Sequence, residues 1–188
     1  MATDPNVPVE VSIDRVLVFR ESGTVGVAIK HPTKLFVIFV GQVEGAAIDR
    51  ELRKVRADRP MTHDLMEFAL RGFDIGVTRA VISSVHNGVY CASLILSQQL
   101  DSHRNEVRLD TRASDAMVFA LKWGVPLMVT TSVLETVEDF TEQLAMLDSK
   151  DGDEADEEDD GAESDDEDDD DELDDDEFSD ESSDDEKS

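Results

Sequence analysis

Apolar and polar residues alternate with a period of two from Val7 through Val9 and Val11 to Ile13, and the phase slips at Val16-Leu17-Val18-Phe19. A period of two places alternate side chains on opposite faces of a strand, so the slip predicts one long strand containing a bulge, or two strands. Glu21-Ser22-Gly23-Thr24 reads as a turn, Val25 to Lys30 as the returning strand, and His31-Pro32-Thr33 as its end. Leu35 to Val40 is an unbroken apolar run, which predicts a strand buried on both faces. The period then changes. From Val43 to Arg56 the residues Ile48, Leu52 and Val55 fall on one side of a helical wheel and Arg50, Arg53 and Lys54 on the other. Pro60 stops that helix, and Thr62 is placed to cap a second one, His63 to Arg71, with Gly72 at its exit.

Strand alternation returns from Val77 to Val85. Asn87-Gly88 is the strongest hairpin signal in the chain, because a two-residue primed turn needs positive φ at both positions. Val89 to Ser97 is the partner strand, Gln98 to Arg104 a polar loop, and Glu106 to Asp110 a further short strand. Ser114 is placed to cap a helix from Asp115 to Trp123 that is apolar nearly all round, with only Asp115 and Lys122 sharing a polar side. Such a helix is central and buried. Gly124 and Pro126 end it, Leu127-Met128-Val129 is a brief strand, and Thr131 to Leu147 is a last helix. Strand, polar loop and Ala47-Ile48 with Leu52 find an echo in strand, polar loop and Ala116-Met117 with Leu121, each followed by a proline and a threonine-started helix. The pattern predicts an α+β fold built from a unit of three strands and two helices used twice.

Charge divides the chain in two. Residues 148–188 hold 27 of the 46 acidic residues against two lysines, a net of −25, whereas residues 1–147 carry a net of only −4. The acidic segment has Leu173 and Phe178 as its main apolar residues, too few to offset an ordering cost of about 1–2 kcal/mol per residue. The expected organisation is a domain over 1–147 and a disordered acidic tail over 148–188. That tail acts as a solubilising brush, binds basic partners, or inhibits its own domain by competing for a nucleic-acid surface. The lone Cys91 allows no intrachain disulfide, no stretch is long and apolar enough to span a bilayer, and no leader is evident, so a soluble cytoplasmic protein without membrane contact is expected.

Two polar stretches stand at predicted helix starts: Arg59-Pro60-Met61-Thr62-His63-Asp64-Leu65, and Asp110-Thr111-Arg112-Ala113-Ser114-Asp115-Ala116 followed by Ala120-Leu121. With the Asn87-Gly88-Val89-Tyr90 hairpin between them, the chain resembles the bifunctional nuclease domain family over about residues 9–140. The resemblance implies a compact α+β domain with a barrel-like mixed sheet made of two repeats, a tendency to form homo-oligomers, and cleavage of both RNA and DNA. Two positions depart from the family pattern. Ala113 stands where proline is usual, and Glu44-Gly45 where an acidic residue precedes alanine, which predicts a slightly looser start of the third helix and a slightly looser packing of the first.

Phosphodiester hydrolysis needs an activated water, donors for the phosphoryl oxygens and help for the leaving oxygen. An imidazole at His63 suits the general base or acid; Asp64, Asp110 and Asp115 suit Mg²⁺ or another divalent cation; Arg59 and Arg112 offer forked donors to a phosphate. The helix starts at Thr62 and Ser114 add a positive dipole end. The catalytic candidates are therefore His63, Asp64, Arg112 and Asp115. Arg59, Thr62, Ser114 and the basic helix face of Arg50, Arg53 and Lys54 are candidates for substrate, a nucleic-acid backbone read with little sequence preference. Helix capping and ion pairing explain the same residues, so a non-catalytic oligomeric binding or regulatory module is the alternative. His31, His86 and His103 sit in turns or loops. No His and Cys spacing suits zinc, and neither a glycine-rich phosphate loop nor a nucleophile elbow is present, so no organic cofactor is expected.

Overall fold

The opening alternation forms a single strand, β1 (Pro8–Phe19), whose pairing shifts register between Ile13 and Arg15, so the phase slip is a bulge within one strand. It runs antiparallel to β2 (Thr24–His31), which in turn pairs antiparallel with β3 (Lys34–Val40). Two helices follow, α1 (Gln42–Leu52) and α2 (Thr62–Gly72). A second meander comprises β4 (Ile75–His86), β5 (Val89–Leu100) and β6 (His103–Arg112). The chain ends in α3 (Ala113–Trp123), β7 (Leu127–Thr130), α4 (Thr131–Thr136) and α5 (Thr141–Asp153). This is a computed structural model, and it describes residues 6–19 and 22–153.

All seven strands belong to one mixed sheet in the order β3-β2-β1-β7-β4-β5-β6. The four-residue β7 is its keystone: antiparallel to β1 and parallel to β4, it joins the two meanders. The sheet is open, with β3 and β6 at its edges, so it does not close into a barrel. Two three-strand meanders are present, each followed by helices.

The core lies between the sheet and α1 and α3. Phe36, Ile38, Ile48, Ile82, Leu94, Met117, Phe119 and Val129 are almost wholly withdrawn from water. Helix α3 buries seven residues from Ala113 to Ala120, as its all-round apolarity predicts, and Gly124 closes it with φ +62°. The Asn87-Gly88 turn has φ +51° and +79°, the primed-turn geometry that its sequence predicts.

β3 is an edge strand and still buried on both faces through its middle, with Phe36 and Ile38 in the main core and Val37 packed with Ala28 and Leu144 in a second cluster; only Phe39 of the run stands exposed. Several expectations need correction. The polar stretch from Gln98 to Arg104 is no loop: β5 and β6 extend through it to a tight turn, pairing Leu100 with His103. The final helix is broken at Val137, whose extended backbone lets Phe140 N–H bond to the Leu35 carbonyl at 2.7 Å. Thr62 and Ser114 are not caps. The extended cap residues are Met61 and Arg112, so Thr62 and Ser114 lie one and two positions inside their helices.

Gly45 is buried, and a methyl added there would come 2.4 Å from a Val25 methyl. The glycine brings α1 hard against β2, the opposite of a looser fit. The main unit is Met1–Lys150 and the second is Asp151–Ser188. The acidic tail expected from position 148 lies, from 154 onward, outside the described residues.

Candidate active site

Helices α1, α2 and α3 face one another through charged residues set one heptad apart. On α3, Asp115 and Lys122 are seven positions apart and so share a face; on α1, Glu44 and Glu51 do the same. Two polar clasps result. In the upper one, His63 Nε2 donates to Asp115 Oδ1 at 3.0 Å, joining the first turn of α2 to the first turn of α3. Arg112 clamps the same carboxylate, with Nε to Oδ2 at 2.9 Å and a terminal nitrogen to Oδ1 at 3.2 Å, and its other terminal nitrogen reaches Glu44 at 2.8 Å. The His63 ring meets Phe119 edge-on at 5.7 Å.

In the lower clasp, Lys122 Nζ donates to Asp64 Oδ1 at 2.5 Å and Glu51 Oε1 at 2.9 Å, with Glu67 at 3.4 Å. The Lys122 side chain is only 8% exposed, so three carboxylates from two helices converge on one nearly dry ammonium. Asp64 also accepts the Met61 N–H at 2.7 Å, which closes the mouth of α2. Glu67 binds Arg71, whose guanidinium lies 4.0 Å over the Trp123 ring.

The electrostatics fix protonation states. Partial burial pushes the Asp64 carboxyl up, but the hydrogen bonds from Lys122 and the Met61 N–H outweigh it and hold the group below the usual carboxylate range. Asp115 follows the same logic, with burial opposed by Arg112 and His63 and a net shift downward. Glu44 is lowered by its own backbone N–H and by Arg112. Burial would lower Lys122, yet Asp64 and Glu51 hold it above its ordinary value, and Arg112 is raised by Asp115 and Glu44. All these groups are charged near neutrality.

The structure therefore brings His63, Arg112 and Asp115 together and sets Asp64 one residue away, in the second clasp. Asp110 is elsewhere, on the exposed strand β6. Among the described residues no group of three or more His, Cys, Asp or Glu side chains is placed to hold a metal ion. The donor chemistry gives the reason: the oxygens of Asp64 and Asp115 are engaged by Lys122, Arg112, His63 and a backbone N–H, so Asp64, Asp110 and Asp115 do not fit a divalent cation as they stand.

The basic face of α1 is also dispersed. Arg53 pairs with Asp49, Lys54 leaves the helix with φ +56° to reach the Leu121 carbonyl, and Arg50 has a buried terminal nitrogen with no hydrogen-bond partner. Arg50 and Lys54, together with Arg56, line a cleft of about 690 Å³ beside the lower clasp. Arg59 is exposed in the loop between α1 and α2; Thr62 is exposed and Ser114 buried at their helix starts.

Sequence reasoning missed Lys122, Glu51, Glu67 and Glu44 as members of the site. For Lys122 a signal existed: it and Asp115 are the two charged residues on an otherwise apolar helix, one heptad apart. Glu44 and Glu51 repeat that spacing on α1, where their partners could not be known before the helices were packed.

A mixed open sheet backed by three clasped helices, with an imidazole, a carboxylate and a guanidinium meeting at two helix mouths, defines an α+β domain with a polar centre between its helices. The chain belongs to the bifunctional nuclease domain family, whose model matches residues 27–142. It is also similar to proteins of Mycobacterium tuberculosis from the Oshkosh and H37Rv strains, both named only as uncharacterized, at 32% identity over 97 residues. That match covers 52% of this chain and 55% of each relative, so the chain spans about half the length of the curated relatives it matches. No helix among the described residues is long and apolar enough to cross a membrane.

Proposed function

We propose that this domain is a sequence-tolerant nuclease that hydrolyses phosphodiester bonds of RNA and DNA at the upper clasp. The observation that carries the reading is the His63–Asp115–Arg112 arrangement. With its Nε2–H donated to Asp115, the His63 ring presents Nδ1 as the proton acceptor, and the carboxylate that fixes the tautomer also steadies the imidazolium once the ring is charged. A water deprotonated by His63 attacks phosphorus, the P–O bond to the leaving oxygen breaks, and the imidazolium returns its proton to that oxygen. Arg112 uses three of the five N–H donors of a guanidinium on Asp115 and Glu44, and its side chain is 66% exposed, which leaves two donors for phosphoryl oxygens. The mouths of α2 and α3 meet here and add their positive dipole ends. The family name supports the same class of reaction. No step is assigned to a metal.

The full chain incubated with single-stranded RNA and with single-stranded DNA, in Mg²⁺ and in chelator, tests the proposal. Cleavage of both polymers that is abolished by His63→Ala supports it, and no cleavage in any condition sinks it. A second reading has its own observation. Every charged group of the two clasps is paired with another, as in a device that pins helices together. On that reading His63→Ala and Asp115→Asn change melting temperature and nothing else.

A further inference from the structure

The two edges of the sheet are treated differently. Along β3 the chain covers its own edge: Phe140 N–H bonds the Leu35 carbonyl, Asp139 and Thr141 accept the Leu35 N–H, and Lys34 reaches the carbonyls of Leu134 and Val137. Such covering is how proteins blunt an edge. Among the described residues strand β6 has no such cover. It is ten residues long, pairs only with β5, and is exposed at every position except the half-buried Thr111. It contains no proline and no register shift, and it carries two apolar residues, Val107 at 47% exposure and Leu109 at 41%, on the face of the sheet that holds the core.

The charges on β6 are arranged as a sign-inverting palindrome about Val107: Arg104, Glu106, then Arg108 and Asp110. In an antiparallel pair of identical strands centred on Val107, the residue at 107 − n faces the residue at 107 + n. Arg104 of each copy then meets Asp110 of the other, Glu106 meets Arg108, and Val107 meets Val107. A two-fold axis repeats each contact, so four opposite-charge pairs form and no like charges stand opposed. Arg104 and Asp110 have no other side-chain partner among the described residues, and Glu106 is held only by an exposed 3.4 Å contact to Arg79. A shift of the centre to 106 or 108 would set Glu106 against Glu106 or Arg108 against Arg108, so the palindrome also fixes register.

We propose that β6 is a self-recognition edge: two copies of this chain join β6 to β6 antiparallel about Val107 and continue the seven-stranded sheet across a two-fold axis. Arg112, the phosphate-facing residue of the proposed active site, is the last residue of this strand. The pairing sets it opposite position 102 in the β5–β6 turn of the partner, so assembly closes one side of each site.

The test uses the full chain in sedimentation velocity over a concentration series. The wild type forms a dimer whose dissociation constant rises with salt. Asp110→Arg opposes it to Arg104 twice per dimer and raises that constant at least tenfold, and Arg104→Asp, which opposes two aspartates, does the same. The combined Arg104→Asp, Asp110→Arg chain restores the pairs with signs exchanged and returns the constant to within about threefold of wild type. A second measurement needs no variant: outward-facing amides of β6 are protected from hydrogen exchange at high protein concentration and lose protection on dilution. A wild type that stays monomeric at high micromolar concentration overturns the proposal. So does a dimer that neither single reversal weakens, which would place the interface elsewhere, or a β6 whose exchange is independent of concentration, the result expected if the edge serves a different protein.

Discussion

Lys122 is the residue on which the helix layer depends most. Replacing it with methionine keeps its length but leaves Glu51, Asp64 and Glu67 facing one another without a cation. The expected loss is about 3 kcal/mol, the lower end of the range for removing one partner of a buried ion pair, since the carboxylates keep some access to solvent. Urea unfolding of Lys122→Met against wild type measures it. The same groups set the pH range of stability. Asp64 and Asp115 lie below the usual carboxylate range in the fold, so their contribution is present above their unfolded value, about 3.9, and is lost as the pH falls through their folded values. Lys122 lies above its ordinary value, so its contribution is present below about 10.4 and is lost as the pH climbs through the folded value. The urea midpoint is therefore flat between about pH 5 and pH 10, and Lys122→Met weakens the alkaline limb, of which Tyr90, raised by burial, keeps a share; an unchanged alkaline limb in the variant contradicts the assignment. At this scale the sequence was legible in part. His63, Arg112 and Asp115 were recognisable from the two helix-mouth motifs, where a histidine and an arginine join the acids that the helix dipole favours. Their partners Glu44 and Lys122 sit in ordinary helical contexts, and only the packing of α1 and α2 on α3 gives those residues meaning.

Elements followed the hydrophobic period where local physics decides them. The β1 bulge, the primed turn at Asn87-Gly88, the buried α3 and its glycine exit all have local causes. Edge or centre in a sheet has no local cause, so the apolar run of β3 marks burial on both faces without showing that the strand is an edge, and the brief β7 gives no sign that it joins the halves. The polar ends of β5 and β6 were taken for a loop because no side chain there enters the core, although the backbone ladder continues. The contact between α1 and β2 offers a test at this scale. Gly45→Ala forces its methyl into Val25 and costs about 1–3 kcal/mol. Val25→Ala, costly alone because it removes buried methyls, costs less on the Gly45→Ala background. Calorimetric melting of the four chains reads the coupling, and additive losses would show that α1 moves aside instead.

For the whole molecule, an open sheet carries three helices whose mouths and flanks are tied by two clasps, one opened to solvent at Arg112 and one centred on the nearly dry Lys122. On the proposed function the work is divided: the dry Lys122 clasp holds the helices, and Arg112, the open member of the clasp it shares with His63 and Asp115, meets the phosphodiester to be cut. One comparison tests that division most directly. Single-turnover cleavage of single-stranded RNA is measured for wild type, His63→Ala and Lys122→Met, each well below its own melting temperature. The account predicts that His63→Ala slows cleavage at least about a hundredfold, the scale of a lost general base, while Arg112 still holds Asp115 and the stability changes little. It predicts that Lys122→Met, though less stable, cleaves within a few-fold of wild type. Wild-type cleavage by His63→Ala would contradict the account.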